Sequence, residues 1–271
     1  MDRRWFALRV ATAWLALTLA VGLHGPAAFA KEITCTGQVG AEPDKATCKG
    51  TKKDDTITGS ARRDNVVAGK GDDTVNGGDG MDFLRGQAGS DVVDGEANND
   101  WVMGEQGEDH AIGGPGSDVV YDNQYKENAP DILEGNDGDD WVEGGGGDDT
   151  VDGGPGDDQL RGWTGDDTLL GGDGNDMLRG DQGSDTIDAG GGDDYIDATK
   201  DETPGSVDTI VCGDGDDEVL ANASDDVAAD CEHVTRVADT AAARSDTHLR
   251  SSLSERAAER AHFWSQHRND R

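Results

Sequence analysis

The sequence predicts an all-β fold built from many short strands and glycine-rich turns, and three observations support that. A nine-residue pattern, G-G-x-G-x-D-x-U-x with U a branched aliphatic residue, recurs from Gly50 to Ala229. Within it, x-U-x is a minimal strand with one side chain turned inward, and the six residues before it form a turn. The composition excludes a conventional core: 58 acidic residues stand against 23 basic ones, the formal charge is −35, and only 33% of residues are hydrophobic. Such a chain cannot bury enough apolar surface to offset the entropy of ordering, so an additional agent must cancel its charge. That charge repels nucleic acid and anionic lipid, which leaves cations as the expected partners.

The register runs unbroken from Gly59 to Tyr121 and again from Gly135 to Asp197. Clear copies begin at Gly77, Gly144, Gly153 and Gly171. Two units are stretched, by four residues between Asp122 and Glu134 and by five between Ala198 and Val211, and each returns to phase. The array then counts nineteen units, and the sixth position is Asp in all of them: Asp55, Asp64, Asp73, Asp82, Asp91, Asp100, Asp109, Asp118, Asp131, Asp140, Asp149, Asp158, Asp167, Asp176, Asp185, Asp194, Asp208, Asp217 and Asp226. The eighth is Val, Leu or Ile except at Ala111 and Ala228. Glycine permits backbone conformations that turn carbonyl oxygens toward a common point, and the Asp adds a carboxylate. Oxygen ligands in a flexible cage suit calcium, whereas zinc or copper would call for His or Cys.

These units resemble the repeats-in-toxin (RTX) nonapeptide, over about two thirds of the chain. The resemblance implies a right-handed parallel β-roll, a solenoid with two nonapeptide repeats per turn, and multiple Ca2+ ions held between turns stacked on the same side. It makes the nineteen aspartates above the carboxylate ligands. With ions between unit n and unit n+2 there are at most about 17 sites. Fewer are expected, because Lys52, Lys53, Arg62 and Arg63 occupy turn positions of the first units and Asn98 replaces a glycine.

The residue before U alternates between successive units. Odd units carry Thr56, Thr74, Val92, His110, Ile132, Thr150, Thr168, Thr186, Thr209 and Val227; even units carry Asn65, Phe83, Trp101, Val119, Trp141, Gln159, Met177, Tyr195 and Glu218. The structural period is therefore eighteen, as a two-repeat turn requires. One outer face is Thr-rich, and the other carries Phe83, Trp101, Trp141 and Tyr195 as a candidate partner face for glycan or another protein, with rings at multiples of about 4.8 Å. The plainer alternative is that bulky residues suit a β surface.

The ends differ from the array. Arg3 and Arg4, an apolar run from Val10 to Leu23 and the small-residue site Ala28-Phe29-Ala30 read as a cleavable N-terminal signal over residues 1–30, giving a secreted, extracellular protein that starts at Lys31. The run is too short to span a bilayer, and no other segment is apolar enough, so no membrane span is expected. Arg3-Arg4-Trp5-Phe6-Ala7-Leu8 also resembles a twin-arginine signal. Disulfides are the default in an exported protein. A rod between the cysteine pairs allows only local bonds, Cys35 with Cys48 and Cys212 with Cys231, because bonded cysteines lie within about 7 Å at Cα.

The expected organisation is a disulfide cap over 31–49, the roll over 50–229, a C-terminal cap over 230–235 and a basic Ala/Arg-rich tail over 236–271, with a helix opening near Ser252 and Glu255. From Gly135 to Asp197 there are 18 Asp and one Glu against Arg161 and Arg179, so the metal-free chain is expected to self-repel and to fold on meeting extracellular calcium at about millimolar concentration. No H-E-x-x-H, G-x-S-x-G or phosphate loop is present, and the Asp-Asp pairs fall at positions five and six of the repeat, where calcium ligation explains them better than catalysis. An enzyme is not expected. The chain reads as a free-standing calcium-binding structural or interaction protein, or alternatively as an accessory module docking a separately encoded secreted enzyme or toxin.

Overall fold

The x-U-x segments pair into strands because each offers one apolar side chain to a shared interior and a full set of backbone donors and acceptors to the neighbouring turns. A computed structural model describes residues 31–35, 46–122, 128–199 and 205–237. The expected signal over 1–30 and the tail beyond Val237 lie outside these residues. The described residues form two parallel sheets of eleven strands each, arranged as a solenoid in which the chain alternates between sheets. The first sheet starts with Lys31–Thr34 and ends with Asp226–Val227; the second starts with Ala46–Lys49 and ends with His233–Val237.

The eighteen-residue period is visible in the pairing. Thr56 faces Thr74, Thr74 faces Val92, and Phe83 faces Trp101. Across the first stretched unit His110 faces Ile132, and across the second Thr186 faces Thr209, so each insertion leaves the stacking in phase.

The eighth-position side chains form two facing columns. Ile57, Val75, Val93, Ala111, Leu133, Val151, Leu169, Ile187 and Ile210 come from the first sheet; Val66, Leu84, Val102, Val120, Val142, Leu160, Leu178, Ile196 and Val219 come from the second. All are at most 2% exposed. Burying each Val, Leu or Ile contributes about 1.5–3 kcal/mol, so this narrow double column supplies the apolar driving force that the overall composition lacks.

Outside the repeat array, Lys31–Thr34 stacks on Asp55–Thr58, and Ala46–Lys49 on Asp64–Lys70, as a further turn of the solenoid. Cys35 and Cys48 are bonded, with Cα atoms 5.5 Å apart. Cys212 and Cys231 are bonded at 5.2 Å. At the other end the last strand continues past residue 235, and Arg236 belongs to it rather than to the tail. Its Nη1 donates to the Asn222 and Asp225 carbonyls at 3.2 and 3.0 Å, closing the final turn.

Candidate metal sites along the turns

The sixth-position aspartate ends each turn, where the chain re-enters a strand, and its carboxylate folds back beneath the turn. From Asp55 to Asp217 all eighteen are at most 4% exposed. They form a ladder along each edge of the solenoid. The backbone N–H of Asp73 donates to Oδ1 of Asp91 at 2.8 Å, that of Asp91 to Asp109 at 2.8 Å, and that of Asp140 to Asp158 at 2.7 Å. The ladder crosses the insertions without weakening: Asp109 to Asp131 is 2.7 Å and Asp185 to Asp208 is 2.9 Å.

From Asp73 onward one carboxylate oxygen is thereby used. The other is buried and has no hydrogen-bond partner at Asp73, Asp82, Asp91, Asp100, Asp118, Asp140, Asp149, Asp158, Asp167, Asp194 and Asp217, where it is Oδ2. Native proteins rarely leave buried polar atoms unmatched, so a whole row of them marks where cations would bind.

The first-position glycine supplies the rest of the cradle. A point one bond from Cα on the side-chain side of Gly153 lies 2.5 Å from Asp158 Oδ2 and 2.7 Å from the Gly171 carbonyl oxygen of the next stacked turn. At Gly135 the same distances are 2.5 Å to Asp140 Oδ2 and 2.7 Å to the Gly153 carbonyl; at Gly95 they are 2.7 Å to Asp100 Oδ2 and 2.5 Å to the Gly113 carbonyl. Carboxylate and carbonyl oxygens from two successive turns thus close in on the glycine Cα, where any Cβ would collide with them. Among the described residues no three His, Cys, Asp or Glu side chains form a compact cluster. The donors are single carboxylates interleaved with backbone carbonyls, a hard-oxygen set that fits calcium.

Burial pushes the carboxyls of the central turns far above the ordinary aspartate range. Desolvation is the largest cause, opposed by the ladder's backbone N–H and reinforced by neighbouring carboxylates. Asp82 rises to about 6, Asp91 to about 7, Asp140 and Asp158 to about 8, and Asp100 to about 9. A divalent ion would remove that penalty by supplying the missing countercharge.

The nineteenth aspartate is placed differently from the other eighteen. Asp226 is exposed and stands in the strand opposite Thr209, while Asp225 is 5% exposed and its Oδ1 accepts the Asp208 N–H at 3.3 Å. The last unit is one residue short, so Val227 rather than Ala228 joins the core. The second ladder ends on Glu232, whose Oε2 accepts the Asp217 N–H at 3.2 Å. A longer acidic side chain outside the nine-residue frame gave no repeat signal.

Position five has a role of its own. Asp139 Oδ1 accepts the Asp157 N–H at 3.1 Å, Asp157 accepts that of Asn175 at 2.8 Å, and Asn175 accepts that of Asp193 at 2.8 Å. This exposed ladder runs opposite in sense to the buried one. It accounts for the Asp-Asp pairs of those turns without making both members metal ligands.

Phe83, Trp101, Trp141 and Tyr195 point outward from the second sheet and are partly exposed. Phe83 and Trp101 pack with centroids 6.0 Å apart. Tyr121 and Trp163, not singled out from the sequence, share the same face, and the Arg161 guanidinium lies 3.1 Å above the Trp163 ring.

A parallel β-solenoid whose stacked turns direct carbonyl and carboxylate oxygens into repeated cradles is a multisite cation-binding roll. The family described as RTX calcium-binding nonapeptide repeat (4 copies) matches residues 49–84, 76–111, 103–124, 128–160 and 170–200. The chain belongs to this family, and its repeats bind calcium ions at multiple sites. No curated protein matches it. The residues that would hold the ions are the buried sixth-position aspartates together with the turn carbonyls.

Proposed function

We propose that this is an exported protein whose folding is coupled to extracellular calcium and whose role is structural or interactive, at the cell surface or in the medium. The observation that carries the reading is the row of buried, unmatched Asp Oδ2 atoms: without a divalent ion the roll holds one uncompensated carboxylate after another. The chain would stay extended where calcium is scarce, cross the membrane unfolded through the general secretory route, and acquire its structure outside. Members of this repeat family form rolls that are typically non-catalytic, and here the paired aspartates that resemble acid–base couples are engaged in the two ladders.

The test is expression in a secreting host with fractionation and N-terminal sequencing, followed by a calcium titration read by calorimetry and circular dichroism. Recovery outside the cell, a start at Lys31 and β structure that appears only with calcium support the reading. Retention in the cytoplasm, or β structure indifferent to calcium, defeats it.

A further inference from the structure

We propose that the outer face of the second sheet binds an uncharged polysaccharide strand lying along the solenoid axis. The inference rests on the reading of an exported, calcium-folded roll and adds the surface and the partner class. Among the described residues all six Phe, Trp and Tyr side chains, Phe83, Trp101, Tyr121, Trp141, Trp163 and Tyr195, lie on this face. The first sheet carries none of them, although it too has eleven strands. A general preference of bulky residues for β structure applies to both faces equally and does not produce this asymmetry.

The rings follow the stacking. Phe83, Trp101, Val119 and Trp141 are direct neighbours in successive turns, and Trp163 pairs with Gly145 one turn beyond Trp141. Trp163 takes φ of +84°, where the repeat prefers glycine, and Gln87, Glu105 and Asp181 do the same in that column at +87°, +77° and +73°. A left-handed backbone is unfavourable for a bulky residue, so Trp163 is displayed here at a cost in backbone strain.

Charge selects the partner. From Phe83 to the strand of Tyr195 the outward columns of this face hold Arg85, Arg161 and Arg179 against Glu105, Glu143, Asp181 and Asp197, a net of one negative charge within a chain of formal charge −35. Over the same turns the first sheet faces outward with Asp94, Glu96, Glu134, Asp152 and Asp188. Nor are two of the arginines free to bind anions: Asp181, 7% exposed, is ion-paired with Arg161 and lies 2.6 Å from Arg179 Nε. The face is close to neutral, rich in rings and edged with Gln87, Glu105, Glu143 and Gln159 as donors and acceptors. That chemistry matches sugar rings, whose C–H faces stack on indole and phenol while their hydroxyls take hydrogen bonds. The acidic turns on both edges repel polyanions, and the net charge opposes a face-to-face pair of copies.

The experiment is co-sedimentation of the calcium-loaded full chain with cellulose, chitin, β-1,3-glucan and mannan, with alginate and heparin beads for comparison. Retention on at least one neutral polymer is expected. The double variant Trp141→Ala, Trp163→Gly should weaken it by about tenfold or more, and Thr150→Ala, Thr168→Ala on the other face should leave it unchanged. Trp163→Gly restores the residue type that its backbone prefers, and circular dichroism with calcium verifies that both variants fold. Retention on no neutral polymer, retention only on the polyanions, or retention indifferent to the aromatic variant overturns the inference. So does a dimer in sedimentation velocity that the aromatic variant abolishes. A wild-type chain that folds in calcium but is not retained sinks the binding face alone; one that does not fold in calcium sinks the underlying reading.

Discussion

Stripping calcium from the folded chain should unfold the roll at pH 8, and acid should then partly restore it. The carboxyl of Asp158, 1% exposed, is raised from 3.8 to about 8, chiefly by desolvation. A shift of about four units corresponds to roughly 5 kcal/mol of penalty for holding that group ionised in the metal-free fold. Asp131, Asp140 and Asp167 are raised to about 8 as well. A penalty of that size is on the scale of the roughly 5–15 kcal/mol by which a domain is ordinarily stable, so the metal-free roll is expected to unfold at pH 8. Because the folded pKa exceeds the unfolded one, the native state binds more protons between about pH 4 and 8, and metal-free stability increases as pH falls through that window. The calcium-loaded roll has the opposite slope, because protons compete with the metal for the same oxygens. Urea melts followed by far-ultraviolet circular dichroism, on protein depleted of metal and on protein in millimolar calcium, should give slopes of opposite sign between pH 5 and 8. A metal-free sample as structured at pH 8 as the loaded one, or one that gains nothing on acidification, refutes the reasoning.

Asp225→Ala should lower the protection of the last turns against hydrogen exchange by about 1–2 kcal/mol, because the Asp208 and Asn222 N–H groups lose their acceptor, whereas Asp226→Ala should change little. The reverse ranking would mean that the last unit keeps the nine-residue frame. Replacing Cys212 and Cys231 by Ser opens a loop with a separation of 19 residues, for which chain entropy gives about 3 kcal/mol. Exchange should then speed up in His233–Val237 and the adjoining turn while the central turns stay protected, since each turn contacts only its neighbours; uniform loss of protection would deny the bond an end-capping role.

Most of the fold was legible because the repeat encodes it redundantly. The aliphatic at position eight set the core column, the Asp at position six set the buried ladder, and the difference between Thr74 and Phe83 showed that successive units belong to different sheets. What escaped lies where one local cue stands in for another. Lys31–Thr34, Ala46–Lys49 and His233–Val237 are solenoid strands without Gly or Asp, because a strand at the end of a stack borrows its register from the strand it lies on. Asp225 and Asp226 are the same residue type, so the sequence could not show which of them faces inward, and the choice falls to the packing of Val227. The position-five ladder was hidden for a related reason: an Asp that accepts a backbone N–H at the surface and an Asp that faces an ion read identically as letters.

The two edges of the solenoid carry different loads. Both stretched units fall on the edge where the chain passes from the second sheet to the first, between Tyr121 and Ile132 and between Asp197 and Thr209. That edge also holds Gln87, Glu105, Trp163 and Asp181 in left-handed conformations, while the opposite edge keeps glycine at Gly78, Gly114, Gly154, Gly172 and Gly190 and departs from it at Glu96 and Asn136. The Asp109 to Asp131 and Asp185 to Asp208 rungs show why the irregular edge survives. The inserted residues precede the sixth-position Asp, which still meets its neighbour at 2.7 and 2.9 Å. A turn can therefore lengthen or carry a large side chain without breaking the carboxylate row. One edge is then free to vary next to the aromatic face, and the other can hold an unbroken series of cradles.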